Sequence, residues 1–239
     1  APGATLGANL KSKGARADSA LVGQLAGLRT RAALEGLLDA YTGMNTVWMR
    51  REIVRALHLF DGVAEAEMPA AQRLMDVATQ DPEPELRKAA LDGLGQCKSK
   101  GKEFLSLIIP SAAEDEVREH AMELHVALAD ANDHAWYREL YKPKAEEKSD
   151  KDKKEKGKER EKEKKREHKD PKKKGEEAPK EPKKPRVLDG IRWRAFEVVI
   201  ADLTADELVE AVLDRSHEIR QRALGELDRR EDKRTIDLA

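Results

Sequence analysis

Aromatic residues make up only 4% of this chain. Strands draw on aromatic and β-branched side chains, and no run of alternating apolar residues occurs, so a sandwich or barrel is excluded. There is one cysteine, Cys97, which rules out an internal disulfide and any Cys-based metal site. Its solitude fits the cytoplasm or an exported, periplasmic setting in a bacterium equally. No stretch of 18 apolar residues exists, so no helix is expected to span a membrane. Phosphate-cradling glycine loops of the G-x-x-x-x-G-K-[ST] and G-x-G-x-x-G types are missing, as is the G-x-S-x-G nucleophile turn. His120 and His125 stand five apart in HAMELH, off the four-residue spacing that would put two ligands on one helix face. Cys97 closes an apolar stripe and is expected to be a structural thiol. No catalytic residue, metal ligand or cofactor is assigned.

Charge is abundant, at 39%, and unevenly spread. Residues 142–186 carry 21 Lys/Arg and 13 Asp/Glu, a net of +8, whereas the rest of the chain nets −9. The same segment contains no Ile, Leu, Val, Met or aromatic residue, so it has nothing with which to build a core. It is expected to be a long, charged, disordered linker. Residues 1–17, APGATLGANLKSKGARA, are rich in Gly and Ala and are expected to be a flexible lead-in. The start at Ala1 and the stop after a helical pattern suggest a piece of a longer protein. Between these, 18–141 and 187–239 form two blocks of helical periodicity. Breaks fall at 42–45, 61–69, 80–84, 98–102 and 110–114, each marked by Gly, Pro, Asn, Asp or Ser. Ser111-Ala-Ala-Glu114 and Thr204-Ala-Asp-Glu207 have the form of capping boxes, and Ser216 of a helix cap.

Within these blocks one pattern recurs. Leu86, Ala90, Leu91 and Leu94 line one face of a helix, and Arg87 falls inside that face. Arg220 sits likewise among Ile219, Ala223, Leu224 and Leu227. Arg192, Arg118 and Arg50 mark three further copies, the last looser than the others. The arginines are 37, 31, 74 and 28 residues apart; without the linker the 74 becomes about 29, the length of one helix–turn–helix unit. A charge within an apolar stripe demands a partner. Asp81 precedes Arg87 by six residues and Asp214 precedes Arg220 by six. Such an aspartate is placed to accept from backbone amides of its turn and from the arginine of its own or an adjacent copy. In the other copies Asp189, Glu114 or Asn45 is a candidate substitute.

The pattern D-P-x-P-x-[apolar]-R-x-x-A-[apolar]-x-x-L resembles the second helix of HEAT repeats, particularly the short bacterial type also found in phycobilisome lyases. The match is fullest at 81–97 and 214–230 and sparsest at 45–60. The resemblance implies an all-α protein: an α-solenoid of stacked antiparallel helix pairs interrupted by the linker. It also implies a ladder formed by Asp81, Arg87, Asp214, Arg220, Arg118, Arg192 and Arg50, with the arginine-bearing helices on the concave side. The function expected is non-catalytic: a scaffold or adaptor surface for another protein. Alternatives are a lyase-type accessory acting on a tetrapyrrole-bearing partner, and nucleic-acid binding through the basic linker. Outward positions on the motif helices are Arg51, Arg55, Lys88, Asp92, Glu119, Glu123, Gln221 and Glu226. Their mixed signs give no basic stripe and argue against nucleic acid. Trp48 and Trp193 flank the arginines, either packed between copies or, with Arg51, Arg55 and Lys88, available to anchor a partner. Trp136 and Tyr137 are expected to cover the end of the first block.

Overall fold

The computed structural model describes residues 2–13, 19–142 and 188–232. These residues form twelve α-helices and no strand. They are α1 (Pro2–Lys13), α2 (Ser19–Gly27), α3 (Arg31–Gly43), α4 (Val47–Ala56), α5 (Glu67–Gln80), α6 (Pro84–Gln96), α7 (Gly101–Ser111), α8 (Asp115–Ala127), α9 (His134–Tyr141), α10 (Asp189–Val199), α11 (Ala205–Val212) and α12 (His217–Arg229). The five motif helices are α4, α6, α8, α10 and α12. Each packs against the next motif helix: α4 on α6, α6 on α8, α8 on α10 and α10 on α12. From α5 onward each also packs against the helix before it, giving the pairs α5–α6, α7–α8, α9–α10 and α11–α12. The expected linker lies outside the described residues except for Lys142. The segments on its two sides meet directly. Arg138 donates to the carbonyl of Asp202 at 2.7 Å, Lys142 reaches Glu207 at 3.2 Å, and His134 pairs with Asp202.

Local signals explain most helix ends. Thr30 accepts from the amide of Ala33 at 3.2 Å and opens α3. Pro84 stands in the first turn of α6, where its missing N–H costs nothing. Thr204 and Glu207 form the expected capping box, and Ser216 caps α12. The capping box expected at Ser111 does not form. Ser111 is the last residue of α7, and its hydroxyl donates back to the Leu107 carbonyl at 2.5 Å. Glu114 is the N-cap of α8 but makes no cap bond; its carboxylate is held by Arg87 instead. At Gly101 an added Cβ would sit 1.9 Å from the Leu94 carbonyl oxygen, so α7 cannot begin there with any other residue unless the turn shifts.

The apolar faces meet in one core. Leu34, Leu37, Met49, Ile53, Leu74, Leu86, Leu94, Leu105, Ile108, Met122, Phe196 and Ile219 are among its fully buried members. His125 is buried with Tyr137, whose hydroxyl is 2.6 Å from its Nδ1, and Trp136 lies 4.5 Å from the same ring. Burial holds His125 below the usual imidazole range, so it is a neutral core residue. Cys97 is also buried. Burial, with Asp61 and Glu67 nearby, raises its thiol to about 12, and it stays protonated.

The expected flexible lead-in is corrected over residues 2–13, which form a helix docked on α3 with Leu10 fully buried. Residues 14–17 lie outside the described residues. The same small residues that suggested flexibility allow a close crossing. A Cβ on Gly7 would lie 2.7 Å from the Cα of Gly36, and one on Gly3 would lie 2.9 Å from the amide nitrogen of Ala33. Gly7→Val is therefore expected to lower stability by about 1–3 kcal/mol. Urea denaturation measures the loss, and limited proteolysis should show cleavage confined at first to the N-terminal segment.

Candidate functional site

The motif arginines do two things. First, they hold the carbonyls where the preceding helix ends, groups that lack intrahelical partners. Arg87 Nη1 donates to the carbonyls of Asp81 (2.8 Å) and Pro82 (3.2 Å). Arg220 Nη1 donates to those of Asp214 and Arg215, both at 2.9 Å. Arg118 Nε donates to Ile109 at 2.9 Å and Arg192 Nε to Tyr141 at 3.0 Å. Arg50 is the exception among the described residues. It caps no carbonyl, and its guanidinium lies 5.8 Å from the ring centre of Tyr41.

Second, they reach forward to an acid in the turn that opens the next motif helix. Arg50 meets Asp81 at 3.4 Å, Arg87 meets Glu114 at 2.6 Å, and Arg192 pairs with Asp214. The aspartates divide their oxygens accordingly. Asp81 Oδ1 accepts from the Glu83 amide at 3.0 Å and Oδ2 faces Arg50; Asp214 Oδ1 accepts from the Ser216 amide at 2.8 Å and Oδ2 faces Arg192. Of the two pairings open from sequence, the carboxylates take the adjacent copy's arginine. The arginine of the same copy takes the aspartate's backbone carbonyl. Glu114, considered for the Arg118 copy, serves Arg87. Asp189 serves Arg192 (3.3 Å) and Arg215 (3.0 Å), and Asn45 is exposed.

Burial sets the strength of these contacts. Arg192 is 1% and Arg118 3% exposed, and the Asp214 side chain 8%. All three guanidinium nitrogens of Arg192 are bonded, to Tyr141, Asp189 and Asp214. At Asp81 the Tyr41 hydroxyl adds a 2.6 Å hydrogen bond, and Arg73 lies 4.7 Å from the Tyr41 ring centre. Burial first, then the Asp81 carboxylate, pushes the Tyr41 phenol up to about 12. Nothing in the sequence flags Tyr41, because its partner is forty residues away and belongs to another turn.

A second row of polar contacts runs over the outer faces of the motif helices. Arg51 pairs with Glu85 at 2.9 Å, and Asp92 with His120 at 2.7 Å. His120 also faces Glu123 at 3.3 Å, Glu123 meets Arg194 at 2.5 Å, and Glu197 meets Arg222 at 2.8 Å. Both ring nitrogens of His120 face carboxylate oxygens. Such exposed pairs contribute little stability each. Their consequence is an ordered charge pattern on one face.

On that face the first ridge, on α4, carries Trp48, Arg51 and Arg55; α6 carries Glu85, Lys88 and Asp92; α8 carries Glu116, Glu119 and Glu123. Trp48 is 45% exposed, whereas Trp193 is half-buried and packs on the core. Arg55 pairs with Glu52 of its own helix. Lys88 is exposed and has no carboxylate partner among the described residues. It edges a groove of about 390 Å³ between α6 and α8, whose floor is Leu91 and Val117 and whose walls include Arg87, Glu114 and His120. Glu226, expected to point outward, is buried. Hydrogen bonds from Arg229 foremost, then Arg230, hold its carboxyl down at about 2. Among the described residues no group of three His, Cys, Asp or Glu side chains is arranged to hold a metal ion, and no helix is long and apolar enough to cross a membrane.

The pairing has a measurable signature. Arg192→Met and Asp214→Asn are each expected to cost about 3 kcal/mol, because each leaves a buried partner uncompensated. The double mutant should fall short of their sum by more than about 1 kcal/mol. In parallel urea cycles, the side chain of Asp81 should couple more strongly to Arg50 than to Arg87. No protein-family model, curated protein or solved structure matches the chain.

Proposed function

We propose that the chain is a HEAT-like α-solenoid that acts as a non-catalytic protein–protein interaction scaffold. The observation that carries this reading is the graded outer face of α4, α6 and α8. The arginines use the inner contacts to join one motif helix to the next, and on α4, α6 and α8 the residues one after and two before each arginine are left to the surface. That surface passes from Trp48, Arg51 and Arg55 through the mixed α6 ridge to Glu116, Glu119 and Glu123. A partner fitting it presents acidic side chains over α4 and basic ones over α8, with an apolar side chain entering the groove beside Lys88. A polyanion such as nucleic acid meets attraction at one end and repulsion at the other. The partner is therefore a polypeptide of mixed charge.

The test is site-specific photocrosslinking in lysate of the source cell, with the photoreactive residue at Lys88 or, as a control, at exposed Gln72 on α5. A discrete protein adduct is expected at Lys88 alone, surviving nuclease and weakened by Glu119→Lys. Equal adducts at both positions, or loss of the adduct on nuclease treatment, would contradict the proposal.

A further inference from the structure

The last turn of α8 carries a buried imidazole. His125 is 2% exposed, and Tyr137, in the first turn of α9, is fully buried. The Tyr137 hydroxyl lies 2.6 Å from His125 Nδ1, and the two rings meet edge to face at 5.4 Å. The Trp136 ring lies 4.5 Å from the same imidazole, inclined to it by 32°. Helix α9 packs on α10, and Arg138 and Lys142 fasten its far end to Asp202 and Glu207. Its first turn is tied to α8 by the His125 contacts.

One proton decides that tie. Burial, then Asp133, keeps the Tyr137 phenol above its ordinary range, so its oxygen retains its hydrogen. The hydroxyl has no other partner among the described residues, so it donates to Nδ1, the bare nitrogen of the neutral ring. A proton taken from solvent adds at that nitrogen. Nδ1 then becomes a donor, the Tyr137 oxygen must accept, and the phenolic hydrogen is left buried without an acceptor. The imidazolium also gives up water with little charge to offset the loss. The charged groups bearing on it are Asp133, in the turn before α9, and Lys102 of α7. Asp133 favours the cation, but its carboxylate already accepts from Lys102 at 3.0 Å and from the Asp130 amide at 2.8 Å. Lys102 opposes the cation, and burial outweighs both. The face of Trp136 returns only part of that cost.

We propose that His125 is an acid-sensitive latch between α8 and α9: a proton on its imidazole breaks the contact with Tyr137 and loosens the start of α9. Burial holds the imidazole below its ordinary 6.5, so the stability it contributes is fully present above that pH and is lost as pH falls through the folded value. NMR of the full chain from about pH 8 to about pH 5 tests this. The His125 ring signal should titrate below 6.5, with backbone shifts concentrated in residues 129–137, and the urea midpoint should fall over the same range. His125→Asn sets an amide oxygen where Nδ1 stands, which accepts from Tyr137 and takes up no proton. That variant should lose this part of the pH dependence, while the other five histidines keep theirs. Lys102→Met removes the opposing cation and releases Asp133, so it should raise the His125 midpoint. The wild-type titration decides the matter even if His125→Asn unfolds. A His125 ring that titrates at 6.5 or above, one that titrates without moving residues 129–137, or an acid loss of the same size in His125→Asn overturns the proposal.

Discussion

One guanidinium linking two successive turns is the contact on which the rest of this structure depends. Each motif arginine is sunk in an apolar face, where an unpaired charge is untenable. Arg87 and Arg192 are made tenable by two kinds of oxygen: carbonyls at the end of the preceding helix, and an acid in the turn that opens the next motif helix; Arg118 and Arg220 make the first contact and Arg50 the second. The first contact fixes a helix to its own partner, as Arg118 does at Ile109 and Arg192 at Tyr141. The second fixes one pair to the next, as Arg192 does at Asp214. Hydrophobic burial supplies most of the driving force but is non-directional. The arginine contacts set the register at which those apolar faces meet.

Much of this was legible in the sequence because it is periodic. The apolar stripe and the Gly/Pro breaks placed the motif helices, and the recurring arginine marked their common face. The direction of the pairing was not legible. Asp81 lies six residues from Arg87 and thirty-one from Arg50, and the sequence left both open as partners for its side chain. Short range did matter, but through the aspartate's backbone. Helix α1 was hidden for a related reason. Gly3 and Gly7 weaken a helix considered alone, and their value appears only against Gly36 and Ala33 of α3. At Ser111 two local outcomes competed. Pro110 and the hydroxyl bond back to Leu107 closed α7 there, while Glu114 was drawn away to Arg87.

The outer face follows from the inner one. Once the position of the arginine is fixed, the residues one after it and two before it must point outward, which is where Trp48, Arg51, Glu85 and Lys88 are found. Arg51 and Glu85 pair with each other across α4 and α6, whereas Trp48 and Lys88 are left to solvent. The sequence showed that their signs were mixed. It did not show that the mixture is ordered along successive helices, because that order depends on which helix neighbours which. Glu226 illustrates the same limit: a carboxylate on a charged helix was expected in solvent, and two arginines further along the helix turned it inward.

The most direct test of the account is hydrogen exchange at the Nε–H of Arg192, followed by side-chain-selective NMR. This proton is directed at the Tyr141 carbonyl, within a guanidinium that also bonds Asp189 and Asp214. If that arginine locks successive helix pairs together, its proton should exchange only when the fold opens globally. It should then track the slowest backbone amides of α10 and speed up sharply in Asp214→Asn. Exchange as fast as that of the exposed Arg55 would contradict the account.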